Sequence, residues 1–180
     1  MDFIVLSDYF RNFPRKLLLG NKSINRKKGI KAIIITLGRH NMDSTTSKQE
    51  HYEYLLSKLD QAIEAKYFLE ATWIAYAVLE DRIESAIKNA GATPRGMFGA
   101  KLAALGNLIP IHEATRKAFF GDIIKRISDW KDERNDLMHD LGNLVKPKEQ
   151  LESDMKYVGS IGRDLAREVC ATVRRQKNFI

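Results

Sequence analysis

Six consecutive residues, Arg134-Asn135-Asp136-Leu137-Met138-His139, bring together a permanent planar cation, an amide and an imidazole. An Arg head presents fixed donors to an anion, and a His titrates near neutrality. Arg134 falls in the row Ile123, Ile127, Trp130, Leu137, Leu141, four residues after Trp130 and three before Leu137. At about 100° per residue it lies near the centre of an apolar stripe. A guanidinium cannot shed its charge, so burying it without a partner is costly. A second stripe, Leu69, Trp73, Tyr76, Ile83 and Ile87, carries Glu80 between Tyr76 and Ile83. The two charges suggest a partly buried Glu80–Arg134 ion pair that aims the guanidinium. A pair that merely sets helix register is the competing reading, as is an Arg134 that snorkels from the stripe edge. His139 lies about 140° round the helix from Arg134 and shares a face with Asn135 at four-residue spacing. One straight helix therefore does not unite Arg134 and His139, whereas two copies of it across a two-fold axis would.

The elements that must carry these residues are helices. From Lys48 onward the apolar spacing is helical nearly throughout. Tyr52, Leu55, Leu56, Leu59 and Ile63 mark a first helix, with capping candidates between Ser44 and Ser47. The phase shifts between Ala65 and Tyr67 with no Gly or Pro to force a turn. Phe68 to Lys88 reads as a second helix whose first half is apolar almost all round, the mark of a central helix. Asn89-Ala90-Gly91 ends it. A shorter helix holds Phe98, Leu102 and Leu105, and a longer one runs from Glu113 to Leu141 with a candidate break at Gly121-Asp122. Leu151, Met155, Val158, Ile161, Leu165, Val169 and Val173 mark a final helix of roughly 28 residues after Pro147, about 42 Å at the standard rise. The expected fold is an all-α bundle of four or five helices.

The motif Arg134-x4-His139, in its Arg-Asn-x-x-x-His form, resembles that of the HEPN superfamily of α-helical ribonucleases. The stretch Tyr67 to Glu80 is similar to the family's central helix, and the order of elements agrees, over roughly residues 48 to 175. The resemblance implies a homodimer whose two motifs form one cleft, and metal-independent cleavage of RNA. Arg134 and His139 are then the catalytic residues with Asn135 in support, Glu80 supports them through the ion pair suggested above, and neither a metal nor a cofactor is expected. Attack by the RNA 2′-hydroxyl needs a proton acceptor, a donor for the leaving oxygen and a cation on the phosphorane, which two His and two Arg in one cleft can supply. The implied setting is cytoplasmic, as a toxin or in anti-phage defence, with an antitoxin or regulatory protein as a further partner. Some toxin members use a Tyr two residues after the motif His for control by an antitoxin; here that residue is Leu141. Many members are inactive, so the alternative is a non-catalytic helical dimer that binds RNA or a protein.

Other reactive side chains have plainer readings. His112 precedes Glu113 and reads as a helix cap, His51 as a solvated first-turn residue, and Cys170 as a structural thiol. The run Arg174-Arg175-Gln176-Lys177 suits a helix C-terminus. One Cys in 180 residues excludes a disulfide framework, and 44% hydrophobic with 29% charged residues excludes a wholly disordered chain.

The formal charge of +7 points towards nucleic acid only if the folded part carries it. It does not. Residues 1–41 hold nine basic and two acidic side chains, whereas residues 42–180 hold 21 of each. This leader has no positive n-region and no apolar run near the roughly 20 residues of a membrane span. It reads as an extension outside the fold, or as sequence upstream of a start at Met42, with a basic RNA-binding arm as the competing reading. A chain beginning at Met42 is expected to keep the RNA-cleaving activity of the full chain; a large loss in a parallel cleavage assay would make the leader an RNA-binding arm.

Overall fold

The computed structural model describes residues 48–180 apart from residue 144; the leader at 1–41 and the capping candidates at Ser44 to Ser47 lie outside the described residues. The described chain is all-α, six helices packed as a bundle. They are α1 (Lys48–Glu64), α2 (Phe68–Asn89), α3 (Phe98–Leu108), α4 (Glu113–Ala118), α5 (Ile123–Asn143) and α6 (Lys148–Lys177). No described helix is long and apolar enough to cross a membrane.

The count exceeds the expected four or five because the segment from Glu113 to Leu141 is two helices. Gly121 takes φ +75°, a left-handed conformation that only glycine adopts freely, and the backbone turns between α4 and α5. His112 caps α4, its Nδ1 accepting from the Thr115 N–H at 3.2 Å. Between α1 and α2, where the phase shift lacked a Gly or Pro, Lys66 itself goes left-handed at φ +62°. Its N–H reaches the Ile63 carbonyl at 3.0 Å, and the Tyr67 N–H reaches that of Ala62 at 2.7 Å. This is the pairing that closes a helix through a left-handed residue, with a lysine in the place glycine usually takes.

α2 is the central element, with Ala71, Ala75, Val78, Leu79, Ile83 and Ala86 all fully buried. α6 lies along it and buries Leu165, Ala166, Val169 and Val173. Two glycines set how closely they meet. A Cβ on Gly159 would stand 3.0 Å from the Phe68 carbonyl oxygen. One on Gly162 would stand 2.9 Å from Trp130 Cζ2 and 3.0 Å from Ala75 Cβ. The Trp130 indole of α5 is thereby wedged between α2 and α6, 1% exposed, with Nε1 donating to the Val158 carbonyl at 2.9 Å. A buried polar group ties α6 to α2 and to α4. Gln176, fully buried, donates to the Ala86 carbonyl at 3.1 Å and to Thr115 Oγ1 at 2.8 Å, and accepts from Asn89 at 3.1 Å.

Gly162→Ala is expected to destabilise the bundle by about 1–3 kcal/mol in urea unfolding, because the indole it meets has nowhere to move. Gly106→Ala in α3, with no atom within 4 Å of the new Cβ, serves as the contrast. There alanine's helix preference acts alone, and stability should hold or rise by up to about 1 kcal/mol.

Candidate functional site

Arg134 leaves α5 one turn after the wedged Trp130, on the row the sequence placed it in, and meets the outer flank of α2. Its guanidinium carbon lies 4.7 Å from the Trp73 ring centroid and 4.7 Å from that of Tyr76. The two rings stand edge-to-face, their centroids 6.4 Å apart, and Phe98 at the start of α3 packs edge-on against Tyr76 at 5.3 Å. Two rings of α2, backed by one of α3, thus form an aromatic seat for one cation of α5, an arrangement favoured by the negative faces of the rings.

The seat holds the charge without neutralising it. Nη1 donates to Asn135 Oδ1 at 3.0 Å, and the buried Nε has no hydrogen-bond partner among the described residues. Burial pushes the Arg134 pKa down from its ordinary value, with only Tyr76 opposing. The group remains a cation under all ordinary conditions, so the depression measures discomfort and not loss of charge.

The direct Glu80–Arg134 ion pair does not form. Glu80 lies one turn beyond Tyr76 on α2 and instead accepts from Lys101 of α3 at 2.7 Å, beside Glu84 at 2.6 Å. Burial works against the Lys101 charge, but hydrogen bonds to both acids hold its pKa above the ordinary value. The hydrogen bond from Lys101 likewise draws Glu84 down. This triad lines a shallow groove of about 270 Å³ between α2 and α3, with Ala77 and Asp81. Tyr76 stands close enough to feel both Glu80 and Arg134. Burial, then the Glu80 charge, raise the Tyr76 phenol above its ordinary pKa, while Arg134 lowers it. The reason is reach: the Lys101 ammonium on α3 meets the Glu80 carboxylate, and the Arg134 guanidinium meets the Trp73 and Tyr76 rings instead.

Asn135 is half-buried and His139 exposed. His139 makes no hydrogen bond or ion pair with any described residue. About 140° and roughly 7.5 Å of helix separate it from Arg134. The structure therefore unites Arg134 with Asn135 in one contact and leaves His139 on the neighbouring face, one turn beyond Asn135. Just past His139, Lys146 pairs with Asp140 and with Asp154 of α6, each at 2.8 Å, and clips the end of α5 to the start of α6. Among the described residues, no three His, Cys, Asp or Glu side chains gather as a metal site requires.

Sequence reasoning missed Arg82, the most buried cation of the set at 7% exposed. It is fully engaged, stacked 3.6 Å from the Tyr52 ring centroid, bonded to that phenol, to Asp81 at 2.6 Å and to Ser85 at 3.0 Å. Its position three residues after Leu79 and one before Ile83 was the available signal. Cys170 is half-buried, and burial pushes its thiol pKa up, which fits a structural residue. Comparison of the chain with protein-family models, curated proteins and solved structures finds no match to any of them.

Arg82 and Arg134 are thus opposite cases: one cation is satisfied, the other is held open. Arg134→Met keeps the aliphatic stem and removes an unneutralised, partly desolvated charge. It is expected to be at least as stable as the wild type in thermal unfolding, whereas Arg82→Met should lose about 1–3 kcal/mol because the Tyr52 oxygen and Ser85 lose a buried donor, although Asp81 keeps its bond from the Tyr52 hydroxyl.

Proposed function

We propose that this chain is a metal-independent endoribonuclease of the HEPN type, working as a homodimer with one cleft formed by both copies, in a toxin or anti-phage setting. The observation that carries the reading is the open guanidinium of Arg134. A cation seated on two aromatic rings, without a carboxylate among the described residues and with an orphaned buried Nε, is an unfavourable state for a purely structural residue. It is a suitable state for a residue that waits for an anion. A phosphodiester supplies that anion, and its charge rises as the phosphorane forms, so the fixed donors bind the transition state more tightly than the substrate.

His139 supplies the proton transfer. On one α5 it stands away from Arg134, and a second α5 across a two-fold axis brings the partner's imidazole towards the first guanidinium. One His takes the 2′-hydroxyl proton while its counterpart protonates the leaving 5′-oxygen. Asn135, bonded to Arg134 and one turn before His139, holds the guanidinium towards the face that carries the imidazole. Glu80 acts one step removed, on Tyr76 and Lys101. The family, the RNA substrate and the biological setting rest on the resemblance of the Arg134-to-His139 motif and of the α2 sequence.

Wild-type protein, Arg134→Ala and His139→Ala are compared for cleavage of total RNA in EDTA, with folding monitored by circular dichroism. Each substitution should cost about 100-fold or more in rate with the helical spectrum retained. If the folded wild type cleaves no RNA, the enzyme reading fails and a non-catalytic dimer that binds RNA or a protein takes its place.

A further inference from the structure

Trp73 is the outer half of the seat that holds Arg134. The residue is 37% exposed even though the Arg134 guanidinium packs over its ring at 4.7 Å. Large aromatic rings are costly to leave in water. The other tryptophan, Trp130, follows that rule at 1% exposed. Trp73 is also held in place: Tyr76 meets it edge-on, and Phe98, 2% exposed, backs Tyr76 in turn. An open indole thus sits on an aromatic support beside a cation whose charge no carboxylate meets among the described residues.

These two surfaces match the two parts of one nucleotide. A nucleobase stacks on an indole, and the attached phosphate meets a guanidinium. A base within a duplex has both faces covered by its neighbours, so only an unpaired nucleotide can use the indole and the cation together. We infer that Trp73 is the base-stacking platform of the Arg134 site. The inference rests on the ribonuclease reading and adds the residue that receives the base. Stacking on an indole accepts any base, so the platform does not select a sequence.

The chain's two tryptophans provide the test. The full-length protein is titrated with a mixed-sequence RNA carrying 2′-O-methyl riboses, which cannot be cleaved through the 2′-oxygen, as a single strand and annealed to its complement. Binding is followed by anisotropy of a label on the RNA and by protein fluorescence. The single strand should quench the Trp73 emission and leave that of buried Trp130, and the duplex should bind more weakly without quenching. Trp73→Leu, which keeps apolar bulk over the guanidinium but offers no ring face, should weaken single-strand binding roughly ten-fold, and Trp73→Phe should restore most of it. Equal binding of single strand and duplex, or a Trp73→Leu protein that binds like wild type, overturns the inference. Should the wild type still cleave RNA in that case, the ribonuclease reading stands without it; if it neither binds nor cleaves RNA, both fall.

Discussion

The contact of Gly162 with Trp130 and Ala75 is the constraint on which the rest of the bundle depends. Without side chains at Gly159 and Gly162, α6 approaches α2 nearly to backbone distance, and the Trp130 indole enters the gap that remains. The indole is fixed by shape on both sides and by its hydrogen bond to the Val158 carbonyl. That bond sets the rotation of α5, and the rotation of α5 determines where Arg134 emerges one turn later. The guanidinium meets Trp73 and Tyr76 because the ring before it on the same row cannot turn. The position of the candidate site is therefore a consequence of core packing.

Buried polar groups pin the bundle at two other places. Gln176 links α2, α4 and α6 through one amide, using both its donor and its acceptor sides. Arg82 links α2 to α1 through the Tyr52 ring and phenol. A slip of either helix would leave such groups unpaired in an apolar setting, which costs more than a misplaced leucine. Apolar surface holds the helices together, and these few polar groups select one register among several that the surface alone would permit.

Helical periodicity carried most of the fold. The stripes on α1, α5 and α6 bury the faces they predicted, and the central position of α2 followed from its apolar first half. Two details were illegible for a physical reason: the turn at Lys66 uses a residue that seldom goes left-handed, and Gly121 marked a break without showing that it separates two helices. The site was half legible. The row of α5 placed Arg134 correctly, but the search for a compensating charge led to Glu80 when the compensation comes from aromatic faces. Leu69, Trp73 and Tyr76 share a stripe with Ile83 and Ile87, yet only the latter two are buried. A stripe does not tell which of its members the neighbouring helices reach. Charge pairing between separate helices depends on side-chain reach across space, and Lys101 could be found only there.

The pairing of α2 with α6 also orders events during synthesis. The element that covers the central helix is the last of the six to leave the ribosome, and contacts between segments so distant in sequence form late. Until then the apolar flank of α2 stays open, and the groove for Trp130 has only one wall. With one wall the indole cannot set the rotation of α5, so Arg134 has no defined seat. The nascent chain can hold helices well before it holds the seat of Arg134, which is complete only once α6 has emerged.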